Sequence, residues 1–416
     1  MSELLRSTDN PPFLFVGNGP YANRGCEAIA KTTVRIVRDH FPSAPIIYAS
    51  EMPDYDQPDE TEADVTHILC RCMPGFPSRL DFSVWLYQRL HLLKDFTRAG
   101  EFVRQWAPRC RAVLSMGGDL YGLSYGERGL IQYLFLGEAA LAVRKPFIIW
   151  CATIGRLESV PRLKKWAMEH FRKCTLVLVR ENYSLEYLYS NGVRDNVRLV
   201  ADPAFLLEPA PPKYPLLLER PLSETIGFNL SGGYATSGVL GSYRDVVQLG
   251  ADCVERILEQ TGMAVVLVPH VVATPVSLSD NDTIFHCLLR EALMARGIDV
   301  PLIPSWLRSW EIKWVLGQLR AYVGSRFHST ISSFSSCTPT VSLTFSEKGP
   351  ALNEFLLGTT KFAIHYAKLT PEALMDKLNL LLEEEETVRS KLRTRIPEVQ
   401  ALSRLAGTYL AEVLRR

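Results

Sequence analysis

The sequence predicts an α/β fold of two domains, each a parallel sheet covered by helices on both faces. Three observations predict it: short apolar runs alternate with longer helical patterns, the alternation restarts midway, and a proline cluster separates the two series. In the first series Phe13–Val16, Ile46–Ala49, Ala112–Met116, Phe147–Cys151, Leu176–Val179 and Val197–Val200 read as buried strands. Among them Glu27–His40 sets Ile29, Thr33, Ile36 and Val37 on one helical face. The second series places strands at Thr225–Phe228, Ala264–Val268, Val300–Ile303, Ala321–Gly324 and Thr340–Leu343, with helices at Tyr243–Gln260, Thr283–Arg296 and His328–Ser335. Between the series, Glu208–Leu222 carries Pro209, Pro211, Pro212, Pro215 and Pro221, too many for a helix or a central strand. The expected organisation is a Rossmann-like domain over residues 1–207, a linker over 208–222, a second Rossmann-like domain over 223–369 and a helical C-terminal tail over 370–416. Ligands of such sheets bind beyond the carboxyl ends of the strands, so a cleft faced by the two sheets is the expected site.

The chain has 416 residues, 47% hydrophobic and 22% charged, a composition that can bury sizeable cores and does not read as disordered. Lys plus Arg number 46 against 45 for Asp plus Glu, a net +1 that offers no broad basic face for nucleic acid. Nine cysteines, an odd count without a CxxC pair, point to a reducing compartment and away from a disulfide scaffold or structural zinc, and no metal is assigned. The N-terminal MSELLRSTDNPP has charges and prolines where a secretion signal needs an apolar core, and no apolar stretch reaches the ~20 residues of a membrane span. A cytoplasmic protein is expected, with contact at the inner face of the membrane as one reading of a particular segment. That segment, Asp81–Trp106, holds Trp85, Tyr87, Phe96, Phe102 and Trp106 among Arg and Lys. An amphipathic helix touching a membrane or a lipid-linked acceptor has this pattern. So does a core-packing helical insertion. Glu383–Glu386 reads as a solvated helix face.

The chemistry-bearing residues follow strands. Gly17-Asn18-Gly19-Pro20-Tyr21-Ala22 formally satisfies GxGxxA, but the helix begins near Gly25 and no acidic residue closes a second strand, so a nicotinamide site is weakly supported. What the segment offers is a turn and a helix start with Asn23, Arg24 and Glu27 beside it. Gly117 and Gly118 after Met116 permit a close approach, of a ligand or of another loop. Arg180 ends a strand, where its fork suits a carboxylate or phosphate ligand, or a neighbouring Asp or Glu. Asp202-Pro203-Ala204 reads as a domain-closing turn. In the second half His270 ends a strand, and Gly324-Ser325-Arg326-Phe327-His328 is the sharpest feature: an Arg and a His at a helix start, an anion site with a proton donor attached. Lys348, within Phe345-Ser346-Glu347-Lys348-Gly349, follows the next strand.

Five segments in order resemble the polysaccharide pyruvyl transferases: Asn23-Arg24-Gly25-Cys26-Glu27-Ala28, Met116-Gly117-Gly118-Asp119, Val179–Ser184, Asp202–Phe205 and Gly324–His328. Cys26 stands where the family commonly has Asp, and Asp119 where it often has Gly or Asn. The resemblance implies a glycosyltransferase-B-like fold and transfer of an enolpyruvyl group from phosphoenolpyruvate (PEP) to two hydroxyls of a sugar. The partners so implied are PEP and a glycan or lipid-linked saccharide acceptor, with no cofactor beyond PEP itself. On this reading the N-terminal domain serves the acceptor and the C-terminal domain serves PEP. Arg326, Arg180 and Lys348 clamp its two anionic ends, His328 protonates C3, and His270 or Glu27 receives the hydroxyl proton. Two alternatives stay open: a nucleotide-sugar-dependent glycosyltransferase of the same architecture, and an inactive anion- or glycan-binding protein.

Overall fold

A computed structural model describes residues 10–72, 76–90, 92–237, 240–272, 280–344 and 348–415. Residues 1–9 of the N-terminal segment and Phe345, Ser346 and Glu347 lie outside the described residues. Two separate parallel sheets divide the strands, and the chain groups into two compact units. The first unit contains the residues up to Tyr21, Ile29–Pro203 and the chain from Ala401 on; the second contains Ala22–Ala28 and Ala204–Gln400.

The first unit's strands are β1 (Phe13–Val16), β2 (Ile46–Ser50), β3 (Val65–Leu69), β4 (Ala112–Met116), β5 (Phe147–Ala152), β6 (Leu176–Val179) and β7 (Val197–Leu199), in the order 3-2-1-4-5-6-7. Its helices are the body of α1 (Arg24–His40), α2 (Pro53–Asp56), α3 (Arg79–Leu90), α4 (Arg98–Trp106), α5 (Gly126–Ala142), α6 (Pro161–Lys173) and α7 (Asn182–Ser190). Strands β1, β2, β4, β5 and β6 are buried at every position, which is why they read as unbroken apolar runs without alternation.

The second unit carries β8 (Thr225–Asn229), β9 (Ala264–Leu267), β10 (Ala321–Gly324), β11 (Thr340–Thr344) and β12 (Ala363–His365), ordered 12-11-10-8-9. Around them lie α8 (Tyr243–Thr261), α9 (Asp282–Met294), α10 (Ser309–Gln318), α11 (Phe327–Ser335), α12 (Lys348–Leu357), α13 (Pro371–Glu383) and α14 (Glu385–Leu414), whose last residues group with the first unit. Helix α8 is bounded as its sequence dictates: Ser242 and Asp245 form a capping box, and Gly262 ends it at φ 64°. No helix or strand occurs between Glu208 and Pro221.

The structure departs from the sequence reading at three places. Val300–Ile303, expected as a strand, keeps a single bridge, Leu302 to Leu267, because Pro301 and Pro304 lack the N–H groups a ladder requires. Strands β3 and β12 were not expected: β3 alternates buried and half-buried positions through Thr66 and His67, and β12 is three residues long. Both are edge strands, where a continuous apolar run is not needed.

Candidate functional site

All strands within a sheet run parallel, so residues that follow them gather at one edge. In the second unit the strand order reverses between β8 and β10, the switch point where open α/β sheets bind ligands. Asn229 ends β8 and joins the turn after β10: its Oδ1 accepts from Ser325 Oγ at 2.8 Å and from the Arg326 backbone N–H at 3.3 Å, and its carbonyl accepts from Ser325 N at 3.1 Å. Helix α11 then starts, with His328 half-buried in its first turn.

Arg326 is not aimed at open space. Its Nε and Nη2 fork onto Asp282 at 3.0 and 2.7 Å, Nη1 reaches Asp280 Oδ1 at 3.0 Å and Nη2 reaches the Asp280 carbonyl at 2.7 Å. Asp282, fully buried as the first residue of α9, also accepts the backbone N–H groups of His270 and Val271, each at 3.0 Å, and the Asn229 amide at 3.2 Å. Burial alone would raise its carboxyl, yet Arg326 holds it below the usual range. Sequence reasoning missed Asp282 and Asn229. The helix-start pattern Asn281-Asp282-Thr283 and the polar end of β8 were the available signals.

His270 is 2% exposed, and neither ring nitrogen has a hydrogen-bond partner among the described residues. Burial, with His328, Arg326 and Arg24 nearby, pushes it down to about 3, so the ring is neutral at ordinary pH. Antiparallel to His270-Val271 runs the strand-to-helix turn of the first motif: Arg24 N donates to the His270 carbonyl at 3.0 Å, Val272 N to the Ala22 carbonyl at 2.8 Å, and Asn23 bridges Val271. Asn23 immediately precedes α1, its Oδ1 accepting from Gly25 N at 3.0 Å. A Cβ on Gly25 would stand 2.6 Å from Cβ, Cγ and Nδ1 of His328. Two motif segments about 300 residues apart in the sequence therefore close on one imidazole, and glycine is the residue that permits it.

Arg24 and Glu27 are fully buried. Arg24 donates to the Ser305 carbonyl at 2.9 Å and pairs with Glu27 at 3.4 Å, while Glu27 Oε2 accepts Ser309 N at 2.9 Å and thereby caps α10. Arg308, also missed from sequence, stands 3.8 Å from Glu27 Oε1. Lys348 opens α12 beyond β11, half-buried on the same edge of the sheet.

In the first unit the switch point lies between β1 and β4. There Gly17 at φ 88° and Gly117 at φ 118° let two loops pass closely, since a Cβ on Gly17 would meet the Met116 carbonyl at 3.1 Å and one on Gly117 the Leu120 side chain at 2.8 Å. Gly118 leaves room for the Arg180 guanidinium. Arg180 is buried and fully engaged: Asp202 on Nη1, Asp119 on Nη2 at 3.0 Å, and Thr153 and Glu181 on Nε at 3.0 and 3.1 Å. The arginine thus ties together the residues that follow β4, β5, β6 and β7. Among the described residues no three His, Cys, Asp or Glu side chains group as a metal set.

A family model described as Polysaccharide pyruvyl transferase matches residues 23–347. No curated protein matches the chain. Among solved structures the chain is similar to a UDP-GlcNAc 2-epimerase from Neisseria meningitidis bound to UDP-GlcNAc, at TM-score 0.59 and 12% identity over 97% of this chain and 99% of that one. It is also similar to an α,α-trehalose 6-phosphate synthase from Burkholderia multivorans, at TM-score 0.58 and 12% identity over 98% of each chain. These likenesses show the fold, a glycosyltransferase-B-like α/β arrangement.

Two outcomes follow from this geometry. Gly25→Ala should cost about 1–3 kcal/mol, the usual penalty of overpacking, and move the His328 imidazole resonances; urea unfolding and histidine-selective NMR read both. His270 and His286 are held at about 3 and about 4 by burial, below the ordinary 6.5. Between those values the unfolded chain binds protons that the folded chain does not, so stability is complete above about 6.5 and falls as the pH drops toward 4. The melting temperature should decline over that window, and His286→Gln should flatten the decline.

Proposed function

The chain belongs to the polysaccharide pyruvyl transferase family, and on that premise we propose that it moves the enolpyruvyl group of PEP onto two hydroxyls of a glycan or lipid-linked saccharide, as a cytoplasmic step of cell-surface or exopolysaccharide synthesis. The observation that supports this most is the convergence of the Asn23–Gly25 turn and the α11 entry on His328, at the switch point of the second sheet.

The chemistry sets the roles. Ketal formation adds a proton to C3 of PEP, turning C2 into an oxocarbenium-like electrophile that two sugar hydroxyls attack in turn as the C2–O bond to phosphate breaks. Of the two hydroxyl protons, one balances the new methyl group and the other leaves with phosphate. His328 is the proposed acid, since it stands half-buried in the first turn of α11 with its ring close against Gly25. His270, neutral and enclosed, serves as a hydrogen-bond acceptor for an incoming hydroxyl. The α11 entry and Lys348 supply positive potential for the phosphate and carboxylate. Arg326, already bidentate to Asp282, positions the turn that carries His328. Arg180 does the same for the loops of the first unit, the proposed acceptor side.

A second reading rests on the likeness to a UDP-GlcNAc-bound structure: the same edge would hold a nucleotide pyrophosphate. Thermal shift with PEP, UDP-sugars and inorganic phosphate separates the two, because only the true ligand stabilises strongly. Incubation with PEP and a glycan panel, following phosphate release and product mass, then tests turnover. We expect PEP to stabilise the parent and the His328→Gln variant alike, with turnover of the variant lower by about 10²-fold or more. Stabilisation by a UDP-sugar alone, without phosphate release from PEP, would establish the second reading. Stabilisation without turnover on any acceptor would leave an anion-binding protein, and normal turnover of His328→Gln would move the acid elsewhere.

A further inference from the structure

The aromatic segment of the first unit splits into two helices with opposite fates. Helix α4 is a core helix: Ala99, Phe102, Val103 and Trp106 are buried. Helix α3 buries Leu80, Val84 and Leu86, yet leaves Phe82 52% and Trp85 49% exposed on its other face. The last residue of the helix, Leu90, and Leu92, Leu93 and Phe96 beyond it are exposed as well. Phe82 stacks on Trp85 with ring centroids 6.1 Å apart and meets Phe96 at 5.5 Å, so these side chains form one patch. A contiguous aromatic and aliphatic patch left to water marks an interaction surface.

The charges around it indicate what it meets. Arg89, Lys94 and Arg98 are exposed and make no ion pair with any described residue. The three carboxylates of Asp81–Trp106 are already taken, Asp81 by Arg128 at 2.6 Å, Asp95 by Arg104 at 2.7 Å and Glu101 by Arg79 at 2.7 Å. The border of the patch is therefore positive without compensation. A second copy of this face would set basic border against basic border. An anionic bilayer complements both features, with aromatic rings at headgroup depth and Arg and Lys on lipid phosphates. No helix among the described residues is long and apolar enough to cross a membrane, so the contact lies in the plane of the surface.

We propose that the α3 face of this chain docks on an anionic lipid bilayer through Phe82, Trp85 and Phe96, with Arg89, Lys94 and Arg98 engaging the headgroups. The proposal is independent of the pyruvyl-transfer reading, and its test reads binding instead of turnover. The full chain is sedimented with phosphatidylcholine vesicles alone and with added phosphatidylglycerol, at low and high salt, and its mass in solution is measured by light scattering. The parent should partition onto the anionic vesicles and not the neutral ones, and lose partitioning at high salt. The exposed-site variants Phe82→Ser with Trp85→Ser, and Arg89→Glu with Lys94→Glu, should keep the parent's melting temperature while partitioning at least about tenfold less. Absence of partitioning, or equal partitioning onto both vesicle types, overturns the proposal. So does a parent dimer that Trp85→Ser dissociates, which would make the patch a contact between copies.

Discussion

The second unit depends on one buried carboxylate. Asp282 receives a guanidinium fork, two consecutive backbone N–H groups and a side-chain amide, and these donors come from the ends of β8, β9 and β10. Each strand end would otherwise stop at an arbitrary angle, since nothing in a parallel sheet fixes the chain once it has left the ladder. A fully buried carboxylate is tolerated only when its acceptor sites are filled. Filling them here fixes the turn that carries His328 and the segment that carries His270 in the same stroke.

The first unit applies the same device with the charges reversed. Arg180 is the buried hub, and Asp119, Thr153, Glu181 and Asp202 are its spokes from four successive strand ends. In a second buried network, Glu60, just ahead of β3, joins Lys31 of α1, His67 of β3 and Tyr21 beyond β1. Burial would raise that carboxyl, but hydrogen bonds from His67 and Lys31, with the lysine charge, hold it at about 2. In each case the polar group is retained inside because it ties segments that share no ladder.

Much of the architecture was legible because parallel strands buried on both faces write themselves as apolar runs, and β1, β4, β6 and β10 have the boundaries read from the sequence. Edge strands β3 and β12 were not legible, since their burial is partial, and Val300–Ile303 misled because two prolines weigh more than its apolar content. At the candidate site, the positions of Asn23, Gly25, His270, Arg326 and His328 followed from strand ends and helix starts. The occupancy of the arginines did not. A sequence shows that Arg180 and Arg326 end strands, but Asp202, Asp282 and Asp280 reach them only through tertiary folding from 22 to 46 residues away.

That difference reorders the electrostatics of the molecule. With a net charge of +1, a sequence gives no hint of where unbalanced charge resides, and the strand-end arginines were its natural candidates. The fold neutralises them: Arg326 and Arg180 each face more than one carboxylate. Positive charge without a paired carboxylate accumulates instead beside the exposed rings of α3, where Asp81, Asp95 and Glu101 are already paired with Arg128, Arg104 and Arg79. A guanidinium closed in by carboxylates fixes geometry and attracts little from a distance. Exposed cations beside apolar rings leave geometry loose and attract anionic surfaces over a Debye length. Local structure alone thus assigns shape-setting to one group of basic residues and long-range attraction to another, although composition treats them alike.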